Sequence, residues 1–222
     1  IETTVKQYSE EMKLPGKVAT AIKERFPEKY NQQNARLVYV MAKEAGVDDT
    51  HYCKGIADFP GIPGRMQFMP TNKRFEVVVD FAHTPQGLEA TLTALRDHMR
   101  KNKKKGRLIA VYGAAGLRDR SKRPIMGTIG VELADIVIFT AEDPRTENVW
   151  SIIRQMKENL QEGHDKIISI PDRGKAIAYA IKELAKTGDV VAILGKGHEK
   201  SMCFGTTEYP WSDQEAALES LR

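Results

Sequence analysis

The stretch Asp135-Ile136-Val137-Ile138-Phe139-Thr140-Ala141-Glu142-Asp143-Pro144-Arg145-Thr146-Glu147 joins two kinds of sequence. Its first half is a short apolar run, the pattern of a strand buried on both faces of a parallel sheet. Its second half crowds acids, a proline and an arginine into a turn before a helical pattern. Those charges therefore fall at a strand's carboxyl end, where open α/β sheets hold ligands. An ordinary polar surface turn is the plainer reading of such a loop taken alone, so its neighbours along the chain matter.

Outward from it the rhythm repeats. Val77 to Asp80, Arg107 to Tyr112, Ile136 to Thr140, Lys166 to Ile170 and Val190 to Leu194 read as strands, and helices fill the intervals. Thr84-Pro85 supplies a cap and a first-turn proline for a helix through Arg100, and Pro124 opens the next one. A helix runs from about Asn148 to Leu160, Asp172 caps another through Lys186, and Ser212-Asp213-Gln214-Glu215 has the capping-box pattern. Met202 to Trp211 reads as a hairpin or an edge strand. Alternating strands and helices predict an α/β fold: a Rossmann-like, doubly wound, mostly parallel sheet.

Residues 1 to 63 lack this alternation. Val5 to Met12 and Asn34 to Ala45 carry helical spacing, and Asp48 or Asp49 can cap a helix to about Asp58. The cluster Pro60-Gly61-Ile62-Pro63-Gly64 marks a junction, giving expected domains of 1–63, helical, and 64–222, α/β.

With 222 residues and 41% hydrophobic composition, the chain can bury a substantial core. Its apolar runs are strand-sized, with no membrane span or signal peptide among them. The start at Ile1, without an initiator methionine, predicts a piece of something longer. Cys53 and Cys203 fit no metal spacing and predict reduced thiols in a cytoplasmic protein. Much of the net charge of +4 lies in Arg100 to Lys105, at a helix end where lysines face water. No aromatic residues interleave with them, so nucleic acid is not an expected partner.

Polar loops recur at the expected strand ends: Asp80 to Thr84, Gly113 to Arg123, Glu142 to Arg145 and Gly195 to Lys200. Gly113-Ala-Ala-Gly116 lacks the third glycine of the dinucleotide fingerprint, and the Gly195 loop fails the P-loop spacing. The Gly113–Arg123 loop is cation-rich and leads into a helix N-terminus, which suits an anion, although its arginines could equally pair with nearby acids. His83 and His198 read as ligands or as histidines bonded to backbone, and Glu199 as an amine acceptor or an exposed ion-pair partner.

Five motifs in order carry a resemblance: Gly61-Ile-Pro-Gly64-Arg65-Met66; Val79-Asp80-Phe81-Ala82-His83-Thr84-Pro85; Arg118-Asp119 with Lys122-Arg123-Pro124-Ile-Met126-Gly127; Glu142-Asp143-Pro144-Arg145; and Gly195-Lys-Gly-His198-Glu199. Together they resemble the Mur ligase family. The resemblance implies the carboxyl-terminal, amino-acid-binding domain, preceded in residues 1–63 by the last helices of the central ATP-binding domain. The family's P-loop, and the lysine that helps bind Mg2+, are then expected upstream of Ile1, so the fragment should be inactive alone.

The implied chemistry is ATP-dependent formation of an amide bond through an acyl phosphate. It adds a third amino acid, diaminopimelate or lysine, to UDP-N-acetylmuramoyl-L-alanyl-D-glutamate in peptidoglycan synthesis. The resemblance assigns Arg65, Asp80 and His83 to the nucleotide, and Arg118, Glu142, Asp143, Arg145, Gly195 and Glu199 to the amino acid. Family members specific for diaminopimelate carry Asp-Asn-Pro-Arg where this chain has Glu142-Asp143-Pro144-Arg145, so an amide that can donate is replaced by an acceptor-only carboxylate. Alternatives are a folylpolyglutamate or cyanophycin-type ligase of the same superfamily, or a non-catalytic ligase-like binding module.

Overall fold

A computed structural model describes residues 13–222, so the helical reading of Val5 to Met12 lies outside the described residues. The chain divides into compact units, Ile1–Gly61 and Ile62–Arg222, two residues before the expected junction.

The first unit contains α1 (Gly16–Arg25), α2 (Lys29–Glu44) and α3 (Asp49–Asp58). Asp48 caps α3 by accepting from the N–H groups of Thr50 and His51, as expected. Helix α1 was not anticipated. It follows Pro15, has no side-chain cap, and offers only Val18 and Ile22 as buried residues, so its local signal is weak. Its stability comes from packing against Ala35, Tyr39, Tyr52 and Ile56. The Tyr39 and Tyr52 rings meet edge to face at 5.0 Å, and the Tyr52 hydroxyl donates to the Ala35 carbonyl.

The second unit is built on β1 (Gln67–Phe68), β2 (Glu76–Asp80), α4 (Pro85–Lys101), β3 (Leu108–Tyr112), α5 (Lys122–Leu133), β4 (Ile136–Phe139), α6 (Val149–Lys157), β5 (Ile167–Ser169), α7 (Arg173–Ala178), β6 (Val190–Leu194), the hairpin β7 (Ser201–Phe204) and β8 (Thr207–Pro210), and α8 (Asp213–Leu221). Strand order is β1-β2-β6-β3-β4-β5, parallel from β2 to β5 with β1 antiparallel at one edge. The chain thus steps from β2 through β3 and β4 to β5, then returns through α7 to insert β6 between β2 and β3.

That return fills both faces. Val78, Ala110, Tyr112, Val137, Phe139 and Ala192 point to the side of α4, α5 and α6, while Val77, Val79, Ile109, Val111, Ile138 and Ile193 point to the side of α7 and α8. The residues alternate strand by strand, and all are 0% exposed. Helix α5 starts at Lys122, two residues before the expected Pro124, and the proline sits in a first turn whose N–H groups need no helical partner. Beyond Ala178, α7 widens into a π-helical turn over Tyr179–Leu184. Among the described residues no helix is long and apolar enough to cross a membrane.

One charged group fastens the carboxyl edge. The Arg173 guanidinium, in the first turn of α7, donates to both carboxylate oxygens of Asp213 at 2.7 Å and to the carbonyls of Ala141 and Leu194. Both side chains of the pair are 0% exposed, and Trp211 Nε1 adds a bond to Asp213. Replacing Arg173 with methionine strands Asp213 as a buried charge, so we expect about 3 to 5 kcal/mol of lost stability in urea unfolding. Adding Asp213→Leu to Arg173→Met should recover much of that loss.

Candidate functional site

The four polar loops meet along the carboxyl edge of β2, β6, β3 and β4, the side where a doubly wound sheet leaves an open crevice. Backbone strain collects there too. Of the described non-glycine residues with positive φ, Met66 (42°), Leu117 (53°), Asp143 (41°) and Arg145 (51°) lie in these loops or beside them, and Lys103 lies elsewhere.

The first cluster forms around Phe81. The Arg65 guanidinium lies over its ring at 4.5 Å, and the rings of His83 and His198 flank it at 4.5 and 4.8 Å. His83 Nδ1 donates to the Phe81 carbonyl, which fixes the ring beside Phe81. Gly64 and Gly197 bring the two loops together: a Cβ on Gly64 would collide with the Gly197 and His198 backbone, and one on Gly197 with Phe81. Asp80 works inside the fold, accepting from the N–H groups of Met66 and Ala82 and from the Thr91 hydroxyl. It braces the cluster, with little of its carboxylate left for a ligand.

The second cluster joins the β4 and β6 exits. Asp143 Oδ1 accepts from Lys196 Nζ at 2.7 Å and from the Cys203 N–H at 3.0 Å, and Lys196 also reaches Glu199 Oε2 at 2.6 Å. The Arg145 backbone donates to the Cys203 carbonyl and accepts from the Gly205 N–H, which docks the loop on the hairpin. The Arg145 side chain donates through NH1 to the Gly116 carbonyl, while NH2 stands 3.8 Å from Asp143 Oδ2. Gly195 approaches Glu142 so closely that a Cβ there would touch the Glu142 side chain.

Glu142 is 6% exposed, and its Oε2 has no hydrogen-bond partner among the described residues; the Thr140 hydroxyl beside it is also buried and unpartnered. Burial pushes the Glu142 carboxyl up to about 7, against the pull of Lys122, Arg173 and Lys196 and with reinforcement from Asp143. Lys122 links the clusters through its bond to the His83 carbonyl.

Arg118 is exposed and makes no hydrogen bond or ion pair among the described residues, so the structure brings it to the site's rim without fixing it. Arg123, from the same cationic loop, is fully buried and binds Glu147, Gln155 and the Ala115 carbonyl. It shapes the loop from within. Lys196 and Arg173 were missed as site residues. The Gly195-Lys196-Gly197 run fails the phosphate-loop spacing and belongs to a motif whose resemblance assigns Gly195 and Glu199 but not the lysine, and nothing local marks Arg173 as a buried tie.

A twisted parallel sheet wound on both faces, with charged and strained loops along one carboxyl edge, defines a doubly wound α/β ligand-binding domain. The chain belongs to the Mur ligase family: residues 64–197 match the family described as "Mur ligase, glutamate ligase domain". The protein of Gloeobacter violaceus named UDP-N-acetylmuramoyl-L-alanyl-D-glutamate--2,6-diaminopimelate ligase is 42% identical over 177 residues, covering 79% of this chain and 35% of that protein. The Alkaliphilus metalliredigens protein of the same name is 35% identical over 220 residues, 99% of this chain and 43% of that protein. A solved structure of a ligase with this name aligns at a TM-score of 0.67 and 32% identity, covering 87% of this chain and 38% of that one. The chain therefore spans less than half the length of these relatives.

The folded state holds the Glu142 proton up to about pH 7, whereas an ordinary glutamate releases it near 4.5, so folding loses stability as pH rises through that window. Glu142→Gln removes this loss. Urea unfolding should show the variant gaining on the parent from pH 5 to pH 8, reaching on the order of 3 kcal/mol, and a constant difference across that range would contradict the assignment.

Proposed function

We propose that this chain is the amino-acid-binding domain of an ATP-dependent ligase that adds a diamino acid, diaminopimelate or lysine, to UDP-N-acetylmuramoyl-L-alanyl-D-glutamate. Residues 1–63 then belong to the end of its ATP-binding domain, and the enzyme works in the cytoplasm on peptidoglycan precursors. One observation carries the reading: at the β4 exit, a buried carboxylate lacking a donor, Glu142 Oε2, lies on the same loop as the Arg145 guanidinium. An amino acid supplies the complement, an ammonium for the carboxylate and a carboxylate for the guanidinium. The names of the relatives fit that complement.

In such a ligase, ATP activates the acceptor's carboxylate as an acyl phosphate, which the incoming amine attacks. The residues of this chain would hold and orient the amine. Glu142 accepts a hydrogen bond from the amino acid, Glu199 and the Gly195 carbonyl face an ammonium, and Arg145 with the exposed Arg118 receives a carboxylate. Asp143 is occupied by Lys196 and Cys203 and shapes the loop.

On the nucleotide side, the Arg65 guanidinium at the Phe81 cluster fits an anionic ligand, and the His83 ring, its Nδ1 donating to the Phe81 carbonyl, lines the same surface. Among the described residues no group of three or more His, Cys, Asp and Glu side chains could hold a metal ion, and the Mg2+ of such a ligase is expected to be bound mainly by the upstream part of its ATP-binding domain.

The full-length protein should release phosphate from ATP only when both the UDP-linked dipeptide and a diamino acid are present. Glutamate turnover on a folate acceptor would overturn the assignment. Arg145→Ala should raise the KM for diaminopimelate steeply, since truncating one member of a desolvated charge pair costs about 2 to 5 kcal/mol; an unchanged KM would remove Arg145 from the pocket.

A further inference from the structure

The loop Glu142–Arg145 sets a carboxylate, Asp143, beside the arginine assigned to a substrate's carboxylate. Left uncompensated, that acid would repel the group Arg145 is meant to attract. Lys196 stands in the way of that outcome. Its side chain is 2% exposed, and its ammonium lies 2.7 Å from Asp143 Oδ1 and 2.6 Å from Glu199 Oε2. A lysine is rarely buried so completely unless it is paired, and this one is paired twice, across two loops. Burial works against the ammonium, but the bonds to Asp143 and Glu199 outweigh it and raise its pKa, so it stays charged.

We propose that Lys196 is a positioning and specificity residue, which neutralises Asp143 and splints it to Glu199 so that the pocket admits an amino acid with a distal carboxylate. The inference rests on the ligase reading above and deepens it. The charges are specific. Within the set of charges tied together here, Asp143 and Glu199 contribute two negative charges and Lys196 and Arg145 two positive ones, so removing the lysine leaves that set with an excess of negative charge. It also takes only one oxygen of Glu199: no donor among the described residues reaches Oε1, which remains for the substrate's ammonium. Asp143 Oδ1 is meanwhile held on the hairpin by the Cys203 N–H, so the acid cannot swing away if the lysine is lost.

The test is a charge cycle in the full-length enzyme, with diaminopimelate and lysine as alternative substrates and the KM for ATP as an internal control. Lys196→Met should raise the KM for diaminopimelate about tenfold or more, affect lysine less because it has no distal carboxylate, and leave the KM for ATP unchanged. Asp143→Asn added to Lys196→Met should bring the diaminopimelate KM back to within about threefold of the parent, because a neutral amide needs no counter-ion. Equal losses for both amino acids, or no recovery in the double variant, would overturn the proposal.

Should Lys196→Met fail to fold, a gentler variant decides. Asp143→Asn alone, which removes the acid that Lys196 neutralises, is expected to retain the diaminopimelate KM within about threefold. A steep rise in Asp143→Asn would mean that Asp143 itself binds the substrate, and the proposal would fall. A parent enzyme that uses neither amino acid would instead count against the ligase reading.

Discussion

The Arg173 guanidinium holds the carboxyl edge of the sheet at one point. It reaches the Ala141 carbonyl just past β4, the Leu194 carbonyl at the end of β6, and both oxygens of Asp213 at the start of α8. These are the segments from which the Glu142–Arg145 and Gly195–Glu199 loops depart. A strand end normally leaves its carbonyls to solvent or a ligand. Here a charge shut away from water satisfies two of them, so the loops leaving β4 and β6 diverge without losing those backbone hydrogen bonds. An apolar replacement could match the pair in stability, but it could not bond carbonyls from different strands at once.

The same logic recurs around the edge. Arg123 gathers Glu147, Gln155 and the Ala115 carbonyl, and Glu147 in turn accepts from the Leu117 N–H, which ties the β3 and β4 exit loops together. The pull of Arg123 holds the Glu147 carboxyl down at about 2 despite the opposing effect of desolvation. Lys196 likewise bonds both Asp143 and Glu199 from a buried position. Each is a cation that lost its water on folding and recovered the bonds from another loop. The strained residues Leu117, Asp143 and Arg145 sit among these ties, and strain of that kind persists only where the surroundings over-determine the backbone.

The loop after β6 serves both clusters. His198 packs on Phe81 in the first cluster, while Lys196 reaches Asp143 and Glu199 in the second. Gly195 and Gly197, both with positive φ, allow the sharp turns that divide these directions. A short segment between adjacent strands thus couples the two halves of the proposed reaction through the backbone.

Much of this was legible in order along the chain. The apolar runs at Val77, Ile136 and Val190 and the caps at Thr84, Asp172 and Ser212 announced strands and helices because those signals are local, set by side-chain period and by a hydroxyl or carboxylate meeting nearby N–H groups. Helix α1 and the two-residue β1 escaped because their order comes from neighbours rather than from their own residues. The loops that converge on the site were also readable, since a parallel sheet sends every exit to one edge. What each charge does there was not. The fold engages Asp80, Arg123 and one oxygen of Asp143 in internal bonds, and Lys196 and Arg173, which carry no site role by sequence, tie the loops together. The sequence alone determined the strand pattern, the edge and the family. Only tertiary structure decided which charges are buried and with whom, because desolvation and pairing depend on residues brought together from distant parts of the chain.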